Sequence, residues 1–394
     1  RRAPQQCLVA HLAPEGGFAL TPEGVQGGEG VTLVPRPAGL GPVLAGRHRH
    51  LAGYSAFELD LTPDRVAEMV KGPVAVSVTG ADGRLRDATG VQLPGVLDDL
   101  FATDHPLGVV WNGDMPALHV WAPTARSVTL HLFPAANAAA PEQSVDMEEN
   151  RGVWTAAGDL SWDRLFYLYE VEVYVPSTGR YEKNLVTDPY SRSLSMNSAM
   201  SQIVRMDDSE LMPEGWTDLV KPALATPEDI VLYELHVRDF SSADPEVSEN
   251  QRGTFLAFTL DTPGTRHLRS LAEAGLTHVH LLPSFDIATI NEDRSECPDP
   301  GDLSGFAPDS PEQQAAVSSV RGEDGYNWGY DPFHYGVPEG SYAADPDGPA
   351  RVLEFRRMVQ ALSEMGLRVV MDVVYNHTHA SRQSDKSVLD RIVP

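Results

Sequence analysis

Cysteine is almost missing from this sequence, since Cys7 and Cys297 are the only two cysteines in 394 residues. A disulfide framework or a cysteine-ligated metal site needs several cysteines at short, regular spacings. The two cysteines also lie in different predicted domains. We therefore expect neither a disulfide scaffold nor a cysteine metal site.

Basic residues are scarce relative to acidic ones. The chain has 30 lysines and arginines against 56 aspartates and glutamates, and its formal net charge is −26. This charge argues against nucleic acid or an anionic membrane surface as the partner. A neutral polysaccharide is compatible with it, and an acidic surface that serves only solubility accounts for the charge equally well.

Long apolar runs are also absent. No stretch approaches the ~20 consecutive apolar residues needed to span a bilayer, so we expect no membrane span. Hydrophobic residues still make up 42% of the sequence, which is ordinary for globular proteins. A chain of this length and composition is expected to form two to four domains.

The first 107 residues are rich in glycine and proline. Short runs of alternating apolar and polar residues occur in them, for example at 56–61 and 74–78. Turn signals such as Asp82-Gly83 separate these runs. Because short alternating strands between turns are typical of antiparallel sandwiches, we predict a β-sandwich domain over residues 1–107.

Residues 108–222 continue this alternation in longer strands. The clearest strands are predicted at 118–123, 127–133 and 166–174. Alternation places one face of each strand in a core and the other in water, so we predict a second β-sandwich domain over residues 108–222. Trp121, Trp154 and Trp162 are interpreted as core residues, with stacking on sugar rings as the alternative.

Residues 223–394 alternate apolar strands with helical patterns. Strands are predicted at 231–237, at 278–283 and from 368 onwards. Apolar residues at three- and four-residue steps predict a helix that ends at Gly275 and another that begins near Pro349 and ends at Gly366, with Asp345 or Asp347 as its cap. This order of elements is typical of a parallel sheet with right-handed crossovers.

Polar residues end the third of these strands. Asp372 interrupts the valine-rich run 369–374, and Asn376 and His377 follow it. We expect this strand to be buried on both faces, where a carboxylate needs a strong partner. The strand end is therefore a candidate ligand site, with an ordinary core strand as the alternative. The polar stretch 298–325 is predicted to be a long loop.

Four motifs of this region resemble type I pullulanases and limit dextrinases, which are debranching enzymes of the α-amylase superfamily. The motifs are Tyr233–Phe240 (YELHVRDF), Gly275–Pro283 (GLTHVHLLP), Tyr326–Pro332 (YNWGYDP) and Asp372–His377 (DVVYNH). The last motif marks the superfamily, whereas the heptapeptide YNWGYDP is specific to pullulanase-like members. The segment 89–100 resembles the β-domain of these enzymes, and Trp-Ala-Pro at Trp121 resembles their starch-binding-type module. The resemblance implies two N-terminal antiparallel β-sandwich domains followed by strands 1–3 of a (β/α)₈ TIM barrel over residues 223–394.

The resemblance also implies roles for particular residues. His377 matches the histidine that hydrogen-bonds the glucose at the cleavage point, and Tyr330 matches the tyrosine on which that glucose stacks. Asp331 is interpreted as an acceptor for a sugar hydroxyl. The residues predicted to support the site are Asp372, Asn376 and Trp328. Packing within the loop is the alternative for Tyr330 and Trp328.

The reaction implied by the resemblance is hydrolysis of α-1,6-glucosidic linkages in pullulan, amylopectin, glycogen or limit dextrins. A carboxylate nucleophile and a carboxylic acid carry it out by a retaining mechanism. In the family these two residues follow the fourth and fifth barrel strands. We therefore assign no catalytic residue, expect the chain to be part of a longer polypeptide, and expect it to be inactive alone.

The sequence also leads to expectations about alternative functions, cofactors and oligomeric state. The alternatives to a pullulanase are another debranching or branching enzyme of the superfamily and a non-catalytic α-glucan-binding protein. No cofactor is expected to be required, but the acidic loops between Asn291 and Asp324 make a bound Ca²⁺ ion an option, although they lack the spacing of a recognised calcium loop. We expect a monomer.

Overall fold

A computed structural model describes residues 7–394, in which three regions follow one another along the chain. The strands of the first region are β1 (Cys7–Leu12), β2 (Ala19–Thr21), β3 (Gly24–Gln26), β4 (Glu29–Thr32), β5 (Val34–Arg36), β6 (Ala56–Glu58), β7 (Val74–Thr79) and β8 (Leu85–Gly90). Its helices are α1 (Pro42–Arg47), α2 (Pro63–Met69) and α3 (Pro94–Phe101).

The first region is antiparallel, as predicted, but it is organised around one large sheet. Four strands pair in the order β4-β1-β7-β8, and two separate hairpins are formed by β2 with β3 and by β5 with β6. The prediction of antiparallel strands is therefore confirmed, whereas the predicted pair of facing sheets is replaced by one large sheet. Helix α3 instead buries Leu97 and Phe101 in a cluster with residues of α2 and with Trp121 of the next region.

The second region consists of two antiparallel sheets. Its strands are β9 (Gly108–Asn112), β10 (Met115–Trp121), β11 (Ala125–Phe133), β12 (Gln143–Asp146), β13 (Glu148–Asn150), β14 (Val153–Ala157), β15 (Phe166–Val175), β16 (Arg180–Val186) and β17 (Ser201–Gln202). One sheet has the order β13-β14-β10-β9 and the other β12-β11-β15-β16. A single core joins them, since Leu118 and Trp154 of the first sheet cluster with Leu130 and Tyr169 of the second.

The third region contains the parallel sheet. Its strands are β18 (Leu232–Leu235), β19 (His278–Leu281), β20 (Phe285–Ile287), β21 (Pro332–Pro338) and β22 (Arg368–Met371), and its helices are α4 (Pro263–Glu273), α5 (Glu312–Val320), α6 (Ala350–Glu364) and α7 (Val388–Ile392). The strands β18, β19 and β22 are parallel neighbours in that order. Leu268 of α4 and Met358 of α6 are fully buried in the same core as Val279 of β19.

The predicted helix ends are confirmed, but one predicted cap is wrong. Gly275 and Gly366 follow α4 and α6 with φ angles of 109° and 85°, a left-handed conformation that glycine adopts without steric cost. Pro349 precedes α6 with no side-chain cap. The carboxylate of Asp347 instead accepts a hydrogen bond from the backbone N–H of Met196 at 2.9 Å, so this aspartate links two regions of the chain.

The prediction that β22 is buried on both faces is wrong. Met371 is 39% exposed and Val373 is 41% exposed, and on the opposite side of the sheet Leu232 is 52% exposed. The physical reason is that β18 and β22 are edge strands and that the buried core around α4 and α6 does not include these side chains. Among residues 7–394, no further strand or helix covers these side chains.

The segment 298–325 is not a structureless loop, because it contains α5. This helix has the sequence EQQAAVSSV and no buried residue. The sequence of this helix has no apolar stripe, so hydrophobic periodicity does not predict it. In residues 7–394, no helix has both the length and the apolar character needed to cross a membrane.

Candidate functional site

The carboxyl ends of the three parallel strands lie side by side. Leu235, Leu281 and Met371 are aligned across β18, β19 and β22. The backbone N–H of Asp372 donates to the carbonyl of Leu281 at 2.9 Å, and that of Leu282 donates to the carbonyl of Leu235 at 3.0 Å. The alignment thus continues one residue past β19 and β22. Side chains that follow the three strands therefore meet at one edge of the sheet.

Gly329 seats the heptapeptide 326–332 on this edge. Its φ angle is 87°, and a Cβ atom built on it would lie 2.8 Å from both Cβ and the carbonyl oxygen of Pro283, the second residue after β19. Only glycine accommodates both the left-handed backbone and this close approach. The glycine of the motif thus holds the flanking Trp328 and Tyr330 against the strand ends.

Tyr330 and Asp372 form the central contact of the site. The hydroxyl of Tyr330 donates to Oδ2 of Asp372 at 2.6 Å. This hydrogen bond, together with burial and the Asp372 charge, raises the pKa of Tyr330 to about 12. Asp372 therefore has the partner that a carboxylate at this position requires, and it fixes the orientation of the Tyr330 ring.

His377 is exposed, and both of its ring nitrogens have protein partners. Nε2 lies 3.0 Å from the backbone carbonyl of Tyr330, and Nδ1 lies 2.7 Å from Oδ1 of Asn376. Because a carbonyl only accepts, Nε2 carries a proton and donates. For Nε2 to reach a ligand, it must therefore exchange this carbonyl for a ligand oxygen.

Asp331 is held by neighbouring side chains. Its Oδ2 accepts hydrogen bonds from Thr289 at 2.7 Å and Asn327 at 3.3 Å, while Oδ1 lies 3.5 Å from Nδ1 of His379. Burial opposes the ionisation of Asp331, but these hydrogen bonds and the His379 charge outweigh it and keep its pKa below the ordinary value. Asp331 thus stabilises the loop in the absence of any ligand.

Exposed aromatic rings lie at and next to the predicted binding residues Tyr330, Asp331 and His377. Trp328 is 58% exposed, Tyr330 is 39% exposed and Tyr375 is 74% exposed. The ring of Tyr335 lies 5.2 Å from that of Tyr375, and its hydroxyl donates to the carbonyl of His377 at 3.0 Å. Such rings can cover the apolar face of a sugar.

Tyr335 and Tyr375 are members of this cluster that sequence reasoning missed. Tyr375 lies inside the motif DVVYNH, directly before Asn376, so its position offered a signal. Tyr335 lies on β21, outside every motif, and only the pairing of β20 with β21 brings it to the strand ends. The structure therefore enlarges the predicted set by two tyrosines.

A buried histidine directly after β18 supports the site from below. His236 is 5% exposed, and its ring stacks on Tyr326 at a centroid distance of 5.2 Å. Its Nε2 lies 2.7 Å from the carbonyl of Asn327 and 3.0 Å from the hydroxyl of Tyr342. This histidine therefore fixes the start of the heptapeptide.

Aromatic residues of the second region are mostly enclosed. Trp154 and Trp162 are 6% and 5% exposed, as predicted for core residues. Trp121 is partly buried between the first two regions, and its Nε1 donates to the carbonyl of Phe101 at 2.8 Å. Within residues 108–191, Tyr190 is the one exposed aromatic side chain.

A buried charge cluster lies between the second and third regions. The carboxylates of Asp286, Glu292 and Glu339 converge within 4.8 Å of one another. Arg351 is fully buried among them and bonds both oxygens of Glu292, at 3.0 and 2.8 Å. His334 lies 2.6 Å from Asp286 on one side and 2.7 Å from the hydroxyl of Thr187 on the other.

These residues do not fit a calcium ion. Arg351 already supplies the cation of the cluster, and both oxygens of Glu339 accept backbone N–H groups, from Ile287 at 2.6 Å and Ser341 at 2.8 Å. In the acidic loops, Asp299 and Asp302 accept hydrogen bonds from backbone N–H groups two residues further on, and no set of three ligands converges there within residues 7–394. Calcium binding by the loops therefore stays a prediction.

Two family profiles match the first two regions. Residues 3–99 match the Pullulanase N2 domain, and residues 106–191 match the carbohydrate-binding module 48, described as the isoamylase N-terminal domain. Together with the parallel sheet that follows, they define the class of protein: two N-terminal antiparallel β-domains, the second of them a carbohydrate-binding module, placed ahead of an α/β segment.

The relatives narrow this class. The chain is 43% identical over 391 residues to Pullulanase 1, chloroplastic, of Arabidopsis thaliana, and the match covers 98% of this chain and 40% of that protein. It is 38% identical to the pullulanase of Klebsiella pneumoniae, over 88% of this chain and 36% of that protein. The chain thus spans about two fifths of the length of these relatives.

Solved structures agree with the sequence matches. The crystal structure of PulA from Klebsiella oxytoca superposes with a TM-score of 0.92 at 35% identity, over 100% of this chain and 41% of that one. Klebsiella pneumoniae pullulanase complexed with maltotriose gives a TM-score of 0.91 at 36% identity, over 98% and 41% of the two chains. In sequence and in fold, the chain corresponds to the N-terminal portion of the pullulanases, which are glycoside hydrolases.

Proposed function

We propose that this chain takes part in α-glucan debranching, as the N-terminal portion of a hydrolase that cleaves α-1,6-glucosidic linkages by a retaining two-carboxylate mechanism. The observation that carries the proposal is the contact of Tyr330 with Asp372 and with His377 at the strand ends. The homology to pullulanases supports the same reaction.

The parallel sheet is proposed to be the first part of a (β/α)₈ barrel. Two helical crossovers connect its strands, and both of its edges are unpaired within residues 7–394. Further strands beside β18 and β22 would satisfy these edges and cover apolar side chains such as Leu232 and Met371. In such a barrel the strand ends that carry Tyr330, Asp372 and His377 form the active-site face.

In this proposal the residues at the strand ends bind α-glucan. A glucose ring stacks on Tyr330, whose orientation the hydrogen bond to Asp372 fixes. His377 exchanges the carbonyl of Tyr330 for a hydroxyl of the same glucose, and Asn376 holds the other ring nitrogen. Trp328 supports the heptapeptide loop 326–332 on the side of the loop that faces solvent. The sugar-binding role of Asp331 requires a ligand to displace one of its present partners.

The test is the kinetics of pullulan hydrolysis in a polypeptide that carries this chain with a complete barrel. We expect His377→Ala to lower kcat at least about 10-fold, equivalent to ~1.4 kcal/mol of transition-state stabilisation. Tyr330→Ala is expected to lower kcat similarly and to raise KM more, because stacking also holds the ground state. Tyr54→Ala, a change at an exposed ring of the first region, is the control. Near-normal turnover of His377→Ala with a lowered melting temperature would assign this histidine to structure and refute the proposed site.

A second candidate function is α-glucan binding without hydrolysis. The match of residues 106–191 to carbohydrate-binding module 48 favours it. The same polypeptide separates the two functions: retention on pullulan without release of reducing ends supports binding alone, whereas release of reducing ends supports the hydrolase.

A further inference from the structure

A small polar cavity lies beside the first residue of the heptapeptide. Its volume is about 190 Å³. Arg238, Arg294, Asp299 and Ser341 are among its lining residues. None of these four residues belongs to the strand-end cluster described above.

Arg238 brings an unneutralised charge to this cavity. Among residues 7–394, its guanidinium takes part in no ion pair and in no hydrogen bond, and it lies 6.0 Å from the centroid of the Tyr326 ring. No carboxylate of the described residues therefore lies in contact with this guanidinium. All five N–H donors of Arg238 are available to a ligand.

Arg294 lies near Arg238, beside Gly253. A Cβ atom built on Gly253 would lie 3.0 Å from Cγ of Arg238 and 3.2 Å from Nη2 of Arg294, so both side chains pass close to this glycine. The guanidinium of Arg294 donates to the backbone carbonyls of Asn250 and Arg252 and pairs with no carboxylate in the described part of the chain.

Ser341 adds a buried hydroxyl with no partner within residues 7–394. The residue is 7% exposed, and its Oγ has no hydrogen-bond partner although its backbone N–H donates to Glu339. A buried hydroxyl without a partner is unfavourable unless a ligand or a water satisfies it. Two neighbouring cations and a free hydroxyl donor in one cavity are complementary to an oxyanion.

We propose that this cavity binds an oxyanion of the phosphate class, either inorganic phosphate or the phosphate group of a phosphorylated sugar. Planar guanidinium groups match the geometry of phosphate oxygens and form short, charge-assisted hydrogen bonds with them. Arg238 and Arg294 neutralise the anion, and the hydroxyl of Ser341 donates to it. The proposal concerns a separate site and does not rest on the glycosidase function.

One lining residue opposes the anion. The carboxylate of Asp299 lies in the same cavity wall, where its Oδ1 accepts the backbone N–H of Gly301 at 2.6 Å. At neutral pH its charge repels a phosphate and weakens the binding that the two arginines provide. This residue supplies a substitution whose effect has the opposite sign to that of the arginine substitutions.

The experiment is isothermal titration calorimetry of the 394-residue chain with inorganic phosphate and with glucose 6-phosphate, at an ionic strength held constant with chloride. We expect saturable binding that Arg238→Gln and Arg294→Gln each weaken at least about 10-fold. Ser341→Ala is expected to weaken it less, and Asp299→Asn to strengthen it. The matched control is Arg47→Gln, which removes an arginine that pairs with Asp99 in the first region and should leave the affinity unchanged.

The ligand series also identifies the source of the phosphate. Tighter binding of glucose 6-phosphate indicates a phosphorylated sugar, and equal affinities indicate inorganic phosphate. No saturable heat with either ligand, equal weakening by Arg238→Gln and Arg47→Gln, or an Asp299→Asn chain that binds no more tightly would each overturn the proposal. The Asp299→Asn comparison remains decisive if an arginine variant does not fold, because Asp299 is exposed.

Discussion

Arg351 is fully buried, and its guanidinium bonds both carboxylate oxygens of Glu292. Removal of one partner from a buried ion pair leaves an uncompensated charge, which typically costs about 3–5 kcal/mol. Here two buried carboxylates, those of Glu292 and Asp286, pair with one arginine. We therefore expect Arg351→Met to lower the free energy of unfolding by at least that amount, measured by urea denaturation.

A surface ion pair provides the control for Arg351. Arg36 and Glu58 lie 3.2 Å apart with side chains 48% and 59% exposed, and such pairs contribute about 0–1 kcal/mol. Arg36→Met should therefore change the denaturation midpoint little. Addition of Glu292→Gln to Arg351→Met should recover part of the loss, because it removes the stranded charge. If the single Arg351→Met chain is as stable as the original, the cluster does not depend on this arginine.

Glu339 predicts a pH dependence of stability. Burial, followed by the charges of Glu292 and Asp286, raises its pKa to about 8 from the ordinary value of 4.5. The pKa of Glu339 is higher in the folded chain than in the unfolded chain, so folding favours the protonated carboxyl. The stabilising contribution of this protonated carboxyl is fully present below about pH 4.5 and is lost as the pH rises through about 8. We expect the urea midpoint to fall between these pH values, and to fall less in Glu339→Gln, which does not titrate. Parallel pH profiles for the two chains would refute this assignment.

Individual site residues were predictable to different degrees. Tyr330, Asp372 and His377 were placed together from their motifs alone, because the carboxyl ends of parallel strands share one edge. Their hydrogen bonds were not predictable, and neither were those of Asp331, which is held by Thr289 from a segment 42 residues earlier in the chain. The Arg351 cluster also left no local pattern, because its members are spread over residues 286–351 and only the tertiary fold joins them.

At the scale of elements, alternation and helical spacing predicted the strands and helices that have an apolar face. Strand β15 and helix α6 bury such faces and were predicted from them. Helix α5 buries no residue and was missed. The exposure of β22 was mispredicted for a different reason. Apolar residues in a strand indicate that other elements can cover it, whereas its exposure depends on which elements actually pack on it.

The exposed side chains of the parallel sheet lead to a prediction about the isolated chain. Leu232, Met371 and Val373 are each at least 39% exposed at or beside strand edges that are unpaired within residues 7–394. Exposed apolar surface of this kind binds the dye ANS. We expect the chain to enhance ANS fluorescence, and Leu232→Ser combined with Val373→Ser to reduce the enhancement by about half or more.

The control for this surface is Val220, which is 85% exposed in the segment between the second and third regions. An isolated exposed apolar residue does not form a dye site, so Val220→Ser should leave the ANS signal unchanged. Equal signals from all three chains would show that the dye binds elsewhere.

At the scale of the whole molecule, specific contacts join the three regions. The hydroxyl of Tyr181 donates to the carbonyl of Pro14 at 2.7 Å, which links the first two regions. Thr187 contacts His334 of the third region, and Val388 and Ile392 of α7 pack in the core of the second region. The β-domains and the strand-end cluster are therefore held in a fixed relation to each other.

We expect the 394-residue chain to bind α-glucan without hydrolysing it. Retaining hydrolysis needs two carboxyl groups about 5–5.5 Å apart, one to attack the anomeric carbon and one to protonate the leaving oxygen. The carboxylates at the strand ends are committed to other partners, Asp372 to Tyr330 and Asp331 to Thr289 and Asn327. Neither is free for these roles, so we expect no reducing sugar to be released from pullulan.

Binding should nevertheless persist, because the exposed rings of Trp328 and Tyr375 need no catalytic carboxylate to stack on sugars. In affinity electrophoresis with pullulan we expect the chain to be retarded, and Trp328→Ala combined with Tyr375→Ala to lose most of the retardation. Tyr54→Ala, at an exposed ring of the first region, should keep it. Turnover by the purified chain would mean that a strand-end carboxylate is catalytic after all, whereas unchanged retardation of the double variant would move glucan binding away from the strand ends and towards the carbohydrate-binding module.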